Sequence, residues 1–391
     1  MLTRQDALIL IDQQMNPLGS EVFPIEEAMN VVLSEPLYSL LDVPPFHKSA
    51  MDGYAIAKGE TSMQLSVSYT LKAGALPPQE IQLGTAVKVM TGAQVPQNTL
   101  RVEQLEDTAP TGKQEIRISS LTGRPNICLK GEDVQAGEML YAPGERITSL
   151  KLANAISCGI THLTGYPVPK VGILVTGDEL VDVGAERLES QIFDSNGPML
   201  RHTLKSLGFS VGFNERSTDV LSKMMDVVLK GLEQVDVLMV SGSVSAGDFD
   251  FVPEVMRKIG AKILFQNVAI KPGKPIGCYT RAGRVIVALP GNPVAAYVGL
   301  LLFGLPVLYR LQASRYQPEI KQITLIEELV RTSAEREEFL PMRLDPTGAY
   351  SLVQYNGSAH LSALSQSNGL LIFPRGRFRF EPGDLAEVIR F

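Results

Sequence analysis

A chain of 391 residues is too long for one ordinary hydrophobic core, so roughly two to four domains are expected. Its 45% hydrophobic and 20% charged content, without a low-complexity tract, is that of a folded globular protein. The net charge of −6, with mixed signs and no run of Lys or Arg, argues against a nucleic-acid partner.

The first residues, MLTRQDALILIDQQM, carry only Leu8-Ile9-Leu10-Ile11 as an apolar core before Asp12. Residues 1–19 therefore read as an amphipathic helix, packing on a later sheet domain, rather than as a signal peptide. Residues 42–140 hold short runs (Leu65–Tyr69, Ala86–Met90, Ile116–Ser119) between Gly/Pro turns, the pattern of a small β-rich domain. Segments 20–41 and 141–167 flank it and are expected to pair as a linking domain. Residues 168–315 alternate strand-like and helix-like runs. Strands are expected at Val171–Thr176, Asp236–Gly242, Ile263–Ile270 and Ile286–Leu289. Helices fall around Met199–Leu207, from Asp219 to about Gln234, over Val252–Ile259 and over Val294–Leu311. That alternation predicts an α/β domain with a doubly wound, mainly parallel sheet. Residues 316–391 read as a C-terminal β-barrel, completing an elongated multidomain chain.

Cys128, Cys158 and Cys278 are scattered, as are His47, His162, His202 and His360, so neither a disulfide framework nor a zinc cluster is legible. Val294–Leu308 falls short of the roughly 18 apolar residues of a membrane span and contains Pro306. A cytoplasmic chain without a membrane segment is the expectation.

In an open parallel sheet, ligands bind beyond the carboxyl ends of the strands. Four loops sit there: TGDEL (Thr176–Leu180), SGSVSAGDFD (Ser241–Asp250), KPGKP (Lys271–Pro275) and PGNP (Pro290–Pro293). Small residues let backbone N–H groups approach an anion, and the next helix adds favourable charge. Lys271 and Lys274 offer cations for phosphate. Asp178, Glu179, Asp219, Asp248 and Asp250 offer hard oxygen donors for a magnesium-type ion. One such loop is a polar turn; four in succession point to a phosphate-and-metal site. In the β-rich region, DVPPFHKSAMDGYAI, TGAQVP and KGEDVQAG add polar turns around Asp52 and Asp133.

Taken in order, SAMDGYA, TGAxVP, GED, TGDEL, DSNGPML, SGSVSAGDFD, KPGKP, LPGNP and the later GSAHLSALSQSNGLLIFP resemble the molybdopterin molybdenumtransferase family over essentially the whole chain. The resemblance implies a four-domain homodimer, with the site between the sheet domain of one subunit and the β-rich domain of the other. It implies transfer of molybdate onto adenylylated molybdopterin with release of AMP, Mg2+ or another divalent cation being present. Contact with a molybdopterin adenylyltransferase or with molybdoenzymes is a further implied partnership. By motif, Asp52, Asp133, Glu179, Asp219 and Asp250 take catalytic roles, Glu179, Asp219 and Asp250 also as metal ligands. Thr176, Asp178, Ser241, Ser245, Asp248, Lys271, Lys274, Pro290, Pro293 and Ser358 take substrate-binding roles. Which of Asp52 and Asp133 handles protons and which the cation stays open. The chain departs from the family at His47, Leu100, Cys128, Leu129, Ser243, Asn267 and Ala295. Those departures motivate a second reading, a non-catalytic relative that binds pterin or scaffolds a partner.

Overall fold

Every side chain of Val171–Thr176 is buried, as a strand covered on both faces requires. This strand, β1, lies inside a six-stranded sheet in a computed structural model that describes residues 1–243, 251–345, 349–355 and 357–391. The other members are β2 (Val211–Ser217), β3 (Val237–Ser241), β4 (Lys262–Gln266), β6 (Gly277–Arg281) and β7 (Arg284–Leu289), with the two-residue strand β5 (Ile270–Lys271) between β4 and β6 in sequence. The spatial order is β2-β1-β3-β7-β6-β4. Strands β2, β1, β3 and β7 are parallel. Strand β6 is antiparallel to both β7 and β4, so β4 runs with the parallel four.

Side chains alternate across this sheet. Ile173, Val175, Val237 and Met239 enter one core with Ala7 and Ile11 of α1 (Arg4–Gln14), Leu200 and Leu204 of α2 (Asn196–Ser206), and the helix that follows β7. Leu174, Leu238 and Val240 enter the opposite core, with α3 (Leu221–Gln234) and α4 (Val252–Lys258). The sheet is therefore doubly wound. Helix α1 starts on a capping box in which Thr3 Oγ accepts from the Asp6 amide at 3.1 Å, and the Thr3 amide donates back to Asp6 at 3.0 Å.

The helix after β7, α5, runs Pro293–Leu311, within a residue of the expected Val294–Leu311 and longer than the apolar stretch Val294–Leu308 alone. At 19 residues it is long and apolar enough to cross a membrane, yet 78% of its most apolar window is buried in the protein core. A π turn over Leu300–Gly304 changes the hydrogen-bond register just before Pro306, whose missing N–H would interrupt an α-helical ladder. The expected strand Ile263–Ile270 is two strands, β4 and β5, broken where Asn267 takes a left-handed φ of +56°.

The C-terminal strands β8 (Ile320–Thr324), β9 (Glu337–Leu344), β11 (Gly369–Phe373) and β12 (Leu385–Arg390) form a second sheet in the order β5-β9-β11-β12-β8, with β10 (Tyr350–Leu352) also on β9. Strand β5 pairs parallel with β9, placing Ile270 beside Glu337 and Lys271 beside Glu338. Phe339, Leu370, Ile372 and Ile389 share the core around α5.

The chain divides into two compact units, and all of the above belongs to Met1–Glu21, Asn30–Val32 and Tyr166–Phe391. The other unit, Val22–Met29 with Leu33–Gly165, is built on a second six-stranded sheet. Its strands lie in the order Thr99–Gln104, Gly53–Ala57, Thr85–Val89, Gln64–Leu71, Glu115–Ile118, Thr108–Gly112, all antiparallel except the central pair. At Gly53 a Cβ would fall 2.0 Å from the Glu103 carbonyl oxygen, so only glycine lets these two strands meet.

Candidate active site

Beyond the carboxyl ends of β1, β3 and β7 lies a cavity of about 1230 Å³, closed on one side by the C-terminal sheet. Thr176, Glu179, Asp219, Lys271, Lys274 and Arg336 are among its walls.

The acidic wall comes from the loops after β1, β2 and β3. The Thr176 hydroxyl, at the end of β1, donates to Ser243 Oγ at 3.1 Å, and Ser243 Oγ donates to Asp219 Oδ1 at 2.6 Å. Ser243 reaches this position with φ +47°, a left-handed backbone that costs a serine about 1 kcal/mol. Gly242 before it has φ +110°, and a Cβ there would lie 2.4 Å from the Thr176 carbonyl oxygen. Asp178 is absent from the cavity lining; its Oδ1 accepts from the Asp219 amide at 3.0 Å and so braces the loop. Ser241 is fully buried, accepting from Asn196 Nδ2 at 3.0 Å and donating to the Pro290 carbonyl at 3.2 Å. Those bonds tie the β3 loop to the PGNP turn. Of the expected residues in the β3 loop, Ser245, Asp248 and Asp250 lie outside the described residues.

The cationic wall comes from KPGKP and from the C-terminal sheet. Lys271 and Lys274 are exposed at the cavity. Arg336, which precedes β9, adds a third cation, and its Nη1 donates to the Ile270 carbonyl at 3.5 Å. Glu338 also lines the cavity, 5% exposed, with Oε1 at 2.7 Å from Lys271 Nζ. Tyr355 stands nearby, its hydroxyl pushed up to about 12 by burial and by the Glu338 charge. Pro290 and Pro293 frame the turn that starts α5. Asn292 between them donates from Nδ2 to Ser358 Oγ at 2.9 Å, so the C-terminal module holds this loop too. The amino ends of α2 and α5 open on the cavity at Asn196 and Pro293, adding partial positive charge.

In the other unit, Asp52 is exposed, and its Oδ1 accepts both the Thr91 amide at 2.7 Å and the Thr91 hydroxyl at 2.8 Å. The Thr91 amide, followed by its hydroxyl, holds the Asp52 carboxyl below the usual carboxylate range. Asp133 is exposed in the KGEDVQAG turn, its amide donating to the Val43 carbonyl at 3.0 Å.

Several departures have local explanations. His47 Nδ1 accepts from the Lys130 amide at 3.0 Å, ordering the GED turn. Burial, followed by the hydrogen bond to Glu132, raises the Cys128 thiol, which stays protonated near neutrality. Asn267 suits its left-handed position, a conformation asparagine adopts more readily than lysine. Ala295 is buried in the cavity wall, while Leu100 and Leu129 are exposed. Nothing in the structure explains the last two. Arg336, Glu338 and Thr91 were not singled out in the sequence; Thr91 alone lay in a quoted motif.

Three family models tile the chain: the MoeA N-terminal region (domain I and II) over residues 2–159, a probable molybdopterin binding domain over 172–310, and the MoeA C-terminal region (domain IV) over 328–391. A molybdopterin molybdenumtransferase of Staphylococcus epidermidis is 31% identical over 382 residues, covering 93% of this chain and 90% of that protein. Its counterpart in Staphylococcus aureus is 29% identical over 396 residues, covering 98% and 94%. The crystal structure of the molybdopterin biosynthesis moeA protein of Pyrococcus horikosii superposes with a TM-score of 0.78 at 26% identity, covering 100% of this chain and 99% of that one. This chain belongs to the molybdopterin molybdenumtransferase family.

Proposed function

We propose that the chain is a molybdopterin molybdenumtransferase, taking adenylylated molybdopterin and molybdate and releasing AMP as molybdenum passes to the pterin dithiolene. One observation carries this reading: four strand-end loops and the C-terminal sheet converge on a single cavity of about 1230 Å³ with an acidic and a cationic wall. That volume exceeds the roughly 300–1,000 Å³ of an ordinary small-ligand pocket and suits a pterin–nucleotide conjugate.

The substrate is anionic at its phosphoanhydride and at molybdate. Lys271, Lys274 and Arg336 supply cations, of which Lys271 is held by Glu338 and Arg336 by the Ile270 carbonyl before binding. Backbone amides of the PGNP turn add donors. Among the described residues no group of three His, Cys, Asp or Glu side chains could hold a metal ion. Glu179 and Asp219 nevertheless supply hard oxygens of the kind Mg2+ prefers, and Asp250 is the proposed third ligand. Bound there, Mg2+ would neutralise charge on the phosphoanhydride as its bridging bond breaks. Ser243 keeps Asp219 turned toward the cavity. Asp52, deprotonated well below neutral pH, is suited to accept a hydrogen bond or a cation.

The working assembly is a homodimer and the setting cytoplasmic; all three cysteines are free thiols, which suits a reducing compartment. The deciding experiment is AMP release from adenylylated molybdopterin with magnesium and molybdate, comparing the native chain with Asp52→Asn and Glu179→Gln. Molybdate-dependent release lost in both variants supports the reading. Tight pterin binding without AMP release by the native chain would sink it in favour of a binding relative.

A further inference from the structure

We propose that Glu338 sets the affinity of the oxyanion subsite by competing with bound anions for Lys271. This rests on the reading of Lys271 as an anion-binding residue.

The β5–β9 register places Lys271 directly beside Glu338, and the two side chains meet at 2.7 Å. They are unequal partners. The Lys271 side chain is 52% exposed and the Glu338 side chain 7%. Glu338 is also fixed from behind, its Oε2 lying 3.6 Å from Nη1 of the equally buried Arg331. Arg331 is itself immobilised: Nε donates to the Arg377 carbonyl at 2.8 Å, Nη1 to Arg336 at 2.8 Å and Nη2 to Pro374 at 2.6 Å. Its guanidinium lies 4.4 Å from the Phe373 ring centroid. Glu338 therefore cannot withdraw into water when an anion arrives.

An ammonium has three N–H donors, and Glu338 engages one of them. An anion on the remaining donors sits within a few ångströms of a buried negative charge. At the effective dielectric of such a site that repulsion outweighs the gain from holding Lys271 still. A fully deprotonated tetrahedral dianion is thus bound more weakly than the lysines alone would bind it. The subsite then holds its anion loosely enough to hand it on, and common cellular dianions do not block it.

The test is calorimetric titration of molybdate, with tungstate and sulfate as further probes, into the full chain at fixed ionic strength. The proteins are the native chain, Glu338→Gln, Lys271→Ala and the double variant. Glu338→Gln is expected to fold, because Arg331 keeps its three carbonyl partners, and to bind molybdate about tenfold more tightly. That gain is expected to shrink in the Lys271→Ala background. Unchanged or weaker binding by Glu338→Gln overturns the proposal, as does an equal gain with and without Lys271. If Lys271→Ala binds as well as the native chain, the anion-binding reading of Lys271 itself fails. Should Glu338→Gln not fold, Glu338→Asp keeps a charge for Arg331 while drawing back from Lys271. It is expected to tighten binding by a smaller factor, and no tightening counts against the proposal.

Discussion

Asp52 and Asp219, in different units of the molecule, are both candidate acids that accept a hydroxyl on Oδ1, and they are held by opposite means. Thr91 gives Asp52 its amide and its hydroxyl together, a local two-donor clamp. Among the described residues Asp219 receives one hydroxyl, from Ser243, which is in turn steered by Thr176 and sits in a left-handed backbone. The first arrangement lowers the carboxyl pKa at little conformational cost. The second spends backbone strain to fix direction. Strain retained beside a cavity, where a glycine would relieve it, marks a position held for what its side chain does.

Three experiments bear on that contrast. The largest effect belongs to the glycines beneath the two arrangements. Gly53→Ala and Gly242→Ala each drive a methyl into a backbone carbonyl, at 2.0 Å from Glu103 and 2.4 Å from Thr176. Each is expected to lower the stability of its own unit by about 3 kcal/mol, read from the urea midpoint. A change under about 1 kcal/mol would show that the loops yield more easily than their geometry implies. Next come Ser243→Ala and Ser243→Gly. Both lose a hydrogen bond of about 1 kcal/mol, but only glycine relieves the positive φ. Alanine is therefore expected to be the less stable by about 1 kcal/mol, with glycine close to native. Equal stabilities would remove the strain argument.

The smallest effect is the titration of Asp52. Its folded pKa lies below the unfolded value, so the stability it adds is present above the ordinary aspartate range and fades as pH falls through the depressed value. Thr91→Val keeps the amide donor and removes the hydroxyl. Carbon-detected NMR should show the Asp52 pKa moving partway back toward the ordinary value. No movement would mean that the amide alone holds it.

The sheet was legible wherever strands are apolar throughout, as in Val171–Thr176 and Val237–Ser241, because burial on both faces leaves no polar alternation. Strand β2 escaped notice because it is an edge, with only Phe213 and Ser217 buried. Strand β6 escaped because its short GCYTR run lies between two loops and reverses direction. The strand-end loops were recognisable from their Gly, Pro, Lys and Asp content, and most of their residues meet in one cavity. Arg336 and Glu338 were not recognisable. Glu338 opens the strand-like run Glu338–Leu344 and Arg336 lies just before it, but nothing in that run says that pairing carries Glu338 to Lys271, 67 positions away (338 − 271). Thr91 and Asp52, 39 positions apart, pose the same difficulty.

Strand β5 hydrogen-bonds to the C-terminal sheet rather than to the sheet whose loop it begins. The KPGKP loop is closed from within, the Val268 amide donating to the Lys274 carbonyl at 3.1 Å, but its first residue is paired by a strand synthesised much later. A nascent chain can complete the doubly wound sheet and still leave Lys271 without its strand partner until Glu337–Leu344 emerges. Grafting the sheet domain alone into another protein would transplant the acidic wall and leave the cationic wall without Arg336 and without the strand that pairs Lys271.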